Sequence, residues 1–163
     1  MHSFTTTHLT AAKRILKYLK GTLNHGLSFT LGLMTLFAYI DADWAGDPSD
    51  RRSTSGFLVY LGSNPITWCA KKQATVSRSS IESEYRALAI AATKLCWLRN
   101  LLRDLGVYLP DTPILWCDNV SALAIASNPV FHAYTKHIEV DFHFVRERVL
   151  HKDLAVKFVS TID

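Results

Sequence analysis

The sequence predicts an α/β domain built on a mixed five-stranded sheet, and three observations lead there. Its apolar runs follow the order βββαβααβ, and only short turns separate the first three. A long helical pattern then intervenes before the fourth strand. Strands joined by tight turns pair antiparallel, whereas strands added through helices lie parallel, so the sheet is expected to be mixed. The third observation is that two strands close on carboxylates. Asp41 follows Leu36-Phe37-Ala38-Tyr39-Ile40, and Asp118 follows Ile114-Leu115-Trp116-Cys117.

The chain opens on a helix whose apolar stripe is Leu9, Ala12, Ile15, Leu16 and Leu19, with Lys13, Arg14, Lys17 and Lys20 on the other faces. Gly21 ends it, and Gly26 to Leu31 reads as a short strand. This opening segment has the character of a piece of something larger. A strand from Leu36 to about Trp44 follows, then a polar turn from Gly46 to Arg52. Two more strands, Thr54 to Leu61 and Ile66 to Lys71, flank the turn Gly62-Ser63-Asn64-Pro65. The long helix runs from Ser79 to Leu105, opened by serines and closed by Gly106. Strand Ile114 to Cys117, helix Val120 to Ala126, an interruption at Asn128-Pro129, helix Lys136 to Leu150 and strand Leu154 to Val159 complete the order. No repeat or low-complexity stretch is present.

Composition narrows the class. With 163 residues, 48% hydrophobic and 20% charged, the chain suits one folded soluble domain with an appendage, not a disordered one. A net charge of +4 favours a polyanionic partner. Cys69, Cys96 and Cys117 form no CxxC pair and read as reduced core thiols of an intracellular protein. The apolar stretch from Gly26 to Ile40 is too short and interrupted to span a bilayer, and the first residues lack a signal-peptide pattern. His132, His137, His143 and His151 have no spacing that sets two ligands on one helical face, so zinc is not expected on them. Trp44, Trp68, Trp97 and Trp116 read as core or sheet-face residues, and Ser79 and Ser80 as helix-start residues rather than nucleophiles.

Period selects the acids that meet. Asp41 shares a strand face with Phe37 and Tyr39, and Asp43 lies one pleat further out as a weaker rival. Glu84 aligns with Leu88, Ala91 and Leu95 at the edge of the buried helical stripe, while Glu82 points about 160° away. Each acid alone has a structural alternative; Asp118-Asn119 in particular suits a helix N-cap. Together, at one sheet edge, Asp41, Glu84 and Asp118 would repel one another unless a divalent cation joined them, which points to phosphate-ester chemistry.

Four segments carry a family resemblance: YIDADWAGDPSDRRSTSGFLVYLG (39–62), WCAKKQATVSRSSIESEYRALA (68–89), LWCDNVSALAIASNP (115–129) and KHIEVDFHFVRE (136–147). They closely resemble the ribonuclease H domain of plant copia-type retrotransposon Pol polyproteins. HLTAAKRILKYLKGTLNHGLSF (8–29) resembles the tail of the preceding reverse transcriptase region. The resemblance thus implies a reverse transcriptase remnant at 1–34 and a ribonuclease H-like domain at 35–163. It further implies cleavage of the RNA strand of RNA/DNA hybrids with two Mg²⁺ ions. Of the family's four acids, the first falls on Asp41, the second on Glu84 and the third on Asp118. Similar sequences carry the fourth in an Ala-Asp motif on a final helix; this chain stops at Asp163, which is not at that position, so the second ion's site is expected to be weakened and the nuclease activity impaired. Glu139 and Asp141 read as a solvated helix face, with approach of either to the site as the alternative. A non-catalytic hybrid-binding module, or an inactive remnant, is the alternative.

Ribonucleases H read a hybrid through its minor groove and phosphates. The expected donors here are Arg51, Arg52, Ser53, Thr54 and Ser55, then Lys71, Lys72 and Gln73, with Ser77, Arg78, Ser79 and Ser80. Arg51 and Arg52 could instead pair with Asp47 and Asp50. Expected partners are the hybrid and the rest of a reverse transcriptase, with no membrane, in a cytoplasmic particle or the nucleus.

Overall fold

Alternating burial along β1 (Leu36–Asp43) gives the sheet two unlike faces. Leu36, Ala38, Ile40 and Ala42 are buried, whereas Tyr39, Asp41 and Asp43 are exposed. The computed structural model describes residues 3, 5–127 and 139–160. β2 (Thr54–Leu61) runs antiparallel to β1, with Leu61 opposite Leu36 and Gly56 opposite Asp41. β3 (Asn64–Lys72) runs antiparallel to β2. Gly62 makes that tight turn at φ +60°, donating its N–H to the Thr35 carbonyl at 2.7 Å; a Cβ there would lie 2.4 Å from the Leu33 carbonyl oxygen.

β4 (Ile114–Cys117) lies parallel to β1 and β5 (Ala155–Phe158) parallel to β4, giving the order β3-β2-β1-β4-β5. The mixed five-stranded sheet is therefore as the sequence predicts. α2 (Ser80–Asp104) covers the buried face with Leu88, Ala91, Ala92 and Leu95, packed with Leu36, Ala38, Ile40, Val59 and Leu115 in one core. Alanines on this face bring the helix close to the sheet. Each fully buried leucine contributes roughly 1.5–3 kcal/mol, so burial dominates over surface ion pairs in fixing the helix. α3 (Val120–Ser127) and α4 (Glu139–Leu150) extend the core through Ala122, Phe142 and Val145.

α1 (Thr6–Gly21) stands apart from this core. Its N-terminus is closed by a reciprocal cap between Thr5 and His8, yet none of its residues is buried. The strand predicted at Gly26 to Leu31 does not form. A strand needs a backbone partner, and here the Asn64 side-chain amide takes that place. It accepts from the Thr30 N–H at 2.7 Å and donates to the Thr30 carbonyl at 2.8 Å. Trp68 is a sheet-face residue of β3, as one of the two readings has it, whereas Trp44, beyond β1, and Trp97, on α2, are neither core nor sheet-face. Trp44, Trp68 and Trp97 are largely exposed: Trp44 donates its indole N–H to the Ser77 carbonyl, and Lys94 sits over the Trp97 ring. The interruption at Asn128-Pro129, the expected helix start at Lys136, and His132 and His137 lie outside the described residues. Among the described residues, no helix is long and apolar enough to cross a membrane.

Candidate metal centre

Because β1 and β4 are parallel neighbours, their C-terminal ends leave the same edge of the sheet, carrying Asp41 and Asp118 with them. The first turns of α2 meet that edge and bring Glu84 to it. Donor atoms of Glu84, Cys117 and Asp118 all lie within 4.8 Å of one another. Asp41 is near enough for its charge to act on Glu84 as well. The structure thus sets two of the three acids that period selects, Glu84 and Asp118, in one group with Cys117, and Asp41 beside that group.

Their environments differ more than the sequence suggests. Glu84 is only 7% exposed, Asp118 is half-buried and Asp41 is exposed, so a single carboxylate bears the cost of desolvation. Burial first, then the Asp118 and Asp41 charges, push the Glu84 carboxyl up to about 7, against a smaller opposing effect of the Ala42 backbone amide. Its Oε2 atom is buried with no hydrogen-bond partner. An unpartnered buried oxygen facing further carboxylates suits a hard divalent cation.

Local structure assigns the neighbouring residues to other tasks. Asn119, not Asp118, caps α3, its side-chain oxygen accepting from the Ala122 N–H at 3.0 Å. The Asp118 carboxylate is thereby left to the cluster. Glu82 is buried too, but it is paired: Arg86 donates to it at 2.6 Å and the Arg78 N–H at 2.8 Å. Cys117, read from sequence as a core thiol, is buried and also belongs to the cluster. Burial pushes its thiol up to about 11, with the three acids adding to the shift. Its place immediately before Asp118 was the available signal.

A buried polar network sets where α2 begins. The Gln73 side-chain amide donates to Ser55 Oγ at 2.8 Å and to the Ser83 carbonyl at 3.0 Å, and it accepts from Ser77 Oγ at 2.7 Å. Ser79 caps the helix by accepting from the Glu82 N–H. Ser53 Oγ accepts from the Ala45 N–H at 3.1 Å.

The residues expected to face a hybrid differ in exposure. Ser53, Ser55, Gln73 and Ser77 are buried and their side chains hydrogen-bond inside the protein. Arg52 pairs with Asp50 at 2.7 Å, and Lys72 bridges Asp47 and Asp50. Lys72 holds the Asp47 carboxyl well below the usual carboxylate range. Arg51, Lys71 and Arg78 are exposed.

Asp141 is half-buried; its charge acts on Tyr85, and Arg86 acts on it in turn. The Glu139 side chain and Asp163 lie outside the described residues.

No family model matches the chain. It is 50% identical, over 164 aligned residues, to the retrovirus-related Pol polyprotein from transposon RE1 of Arabidopsis thaliana, covering 100% of this chain and 11% of that protein. In fold it is similar to LC11-RNase H1, crystallised with an RNA/DNA hybrid, at a TM-score of 0.57 and 11% identity, covering 78% of this chain and 87% of that one. It is also similar to the foamy viral protease-reverse transcriptase in complex with RNA/DNA hybrid, at a TM-score of 0.54 and 14% identity, covering 99% of this chain and 20% of that one.

Proposed function

Since the chain belongs with the retrovirus-related Pol polyproteins of plant transposons and folds as a ribonuclease H-like domain, we propose that it hydrolyses the RNA strand of RNA/DNA hybrids in a divalent-metal-dependent reaction. Residues 35–163 are the domain that does so, and residues 1–34 correspond to the tail of a reverse transcriptase region. The rest of that enzyme is the expected protein partner.

The observation that carries the reading is the buried, half-unpartnered carboxylate of Glu84 with Asp118 and Asp41 acting on it. A like-charged cluster of this kind costs stability unless cations join it, and it occurs where phosphate esters are handled. Asp41, Glu84 and Asp118 would hold the cations through carboxylate oxygens, the donor type Mg²⁺ requires. Bound there, divalent cations supply activation of the attacking water and stabilisation of the leaving 3′ oxygen. Glu84, its backbone held by the buried face of α2, brings the buried carboxylate to the set. Arg51, Lys71 and Arg78 are the exposed cations available to hybrid phosphates.

The test is cleavage of a labelled hybrid in Mg²⁺ and in Mn²⁺, beside Asp41→Asn. Cleavage of the RNA strand, lost in the variant, is the expected result. A folded sample that binds the hybrid without cutting it would instead be a non-catalytic hybrid-binding module, and one that does neither an inactive remnant.

A further inference from the structure

Cys117 gives the acidic cluster a donor of a different kind. We infer that Glu84, Cys117 and Asp118 also form a thiolate site for a soft divalent cation such as Zn²⁺, which excludes hard cations from the same carboxylates. The inference rests on reading these acids as a metal centre and adds a second, competing mode of occupancy to it.

The argument is geometric. One sulfur and two carboxylates present donor atoms within 4.8 Å of one another. Tetrahedral coordination, with metal–sulfur near 2.3 Å and metal–oxygen near 2.0 Å, sets sulfur and oxygen roughly 3.5 Å apart and the two oxygens roughly 3.3 Å apart, so the donors must close in by up to about 1.5 Å. Glu84 has the rotatable bonds to do this, whereas Cys117 is fixed at the end of β4. The Glu84 Oε2 atom, on a side chain 7% exposed, has no other partner to give up. Cys117 is fully buried; its sulfur accepts from the Asn119 N–H at 3.4 Å, and its S–H, donated to the Asn119 carbonyl at 3.8 Å, is the bond that a metal would replace. Thiolate favours soft ions, whereas Mg²⁺ favours oxygen, and sulfur therefore separates the two classes. On binding, the S–H proton passes to the solvent as the sulfur–metal bond forms; nothing is oxidised or reduced. Two carboxylates and one thiolate leave a fourth position for water.

The test uses Cd²⁺ as the spectroscopic probe on the full chain, with Cys69→Ser and Cys96→Ser introduced together to remove the other two thiols. The expected result is one Cd²⁺ per chain with thiolate-to-cadmium ultraviolet absorption, lost in Cys117→Ser and suppressed by excess Mn²⁺. Asp118→Asn keeps the thiol, so it serves as a control should Cys117→Ser fold poorly. It should weaken Cd²⁺ by at least about tenfold, as loss of even an outer-shell partner commonly does. Mn²⁺ binding, followed by its paramagnetic resonance, separates the two ideas. Mn²⁺ bound without any Cys117–Cd²⁺ absorption overturns this inference alone. Cd²⁺ absorption that ignores Mn²⁺ and survives Asp118→Asn overturns it as well. Cd²⁺ absorption sensitive to Asp118→Asn in a protein that binds no Mn²⁺ would support the thiolate site and count against the hard-cation centre.

Discussion

Glu84 retains its proton to about pH 7 in the folded chain, against an ordinary value of 4.5. Below pH 4.5 the group is protonated folded and unfolded alike and contributes no pH dependence. Between 4.5 and 7 the unfolded chain releases the proton while the folded chain keeps it, so stability falls as pH rises. Above pH 7 the full cost is present, on the order of 3 kcal/mol. In a chelator, denaturant unfolding at pH 4 and pH 8 should therefore find Glu84→Gln near wild type at the lower pH and more stable at the higher. Equal behaviour at both would mean that burial does not penalise the carboxylate. The same residue shows why part of the site was legible in the sequence. Its spacing with Leu88, Ala91 and Leu95 marks the buried helical face, and Asp41 and Asp118 stand at the ends of apolar runs. Gln73 was not legible, because a polar side chain between two strands and a helix can face either way. What fixes it inward are Ser55 and Ser83, 18 and 10 residues distant.

At the scale of elements, the start of α2 is where function and stability meet, since Glu84 lies within its first turns. Gln73→Leu would take the acceptor from the buried Ser77 hydroxyl, to which Arg86 still donates at 3.2 Å, and the donor from the buried Ser55 hydroxyl. Leaving such groups unsatisfied costs about 1–3 kcal/mol. Ser79→Ala removes only the cap, at about 1 kcal/mol. Urea unfolding should rank the variants in that order, and a Mn²⁺ titration should show weakened binding in Gln73→Leu because the helix start shifts. Unchanged Mn²⁺ affinity in a destabilised Gln73→Leu would confine the network to a structural role. Elements with their own pattern were readable: Thr54–Leu61 and Ile114–Cys117 form at the residues the sequence predicts. Gly26 to Leu31 was misread because β-propensity does not supply a partner, and the Asn64 amide that meets it is 34 residues from Thr30. Trp44 and Trp97 misled for a related reason. A large apolar ring marks an interface, and apolar neighbours in sequence do not show whether that interface lies inside the domain.

For the whole molecule, the unsettled surface is α1. Its Leu9, Ile15, Leu16 and Leu19 are each more than half exposed, on a helix with no buried residue. A contiguous apolar stripe of this kind is uncommon on a monomer and drives association. The full chain is therefore expected to self-associate as its concentration rises, in sedimentation velocity at moderate salt. Leu16→Glu with Leu19→Glu should abolish that association while the cooperative unfolding of the sheet domain stays unchanged, because neither side chain touches its core. Leu88→Ala supplies the contrast. It removes a fully buried side chain from beneath α2 and should cost about 2–5 kcal/mol without altering association. If the charged α1 variant also lost stability, α1 would be packed on the domain in solution, and residues 1–34 would have to be counted as part of it. If association persisted in that variant, the responsible surface would lie elsewhere, and the aromatic outer face of the sheet, where Phe37 and Tyr60 stack at 5.2 Å, would be the next to charge.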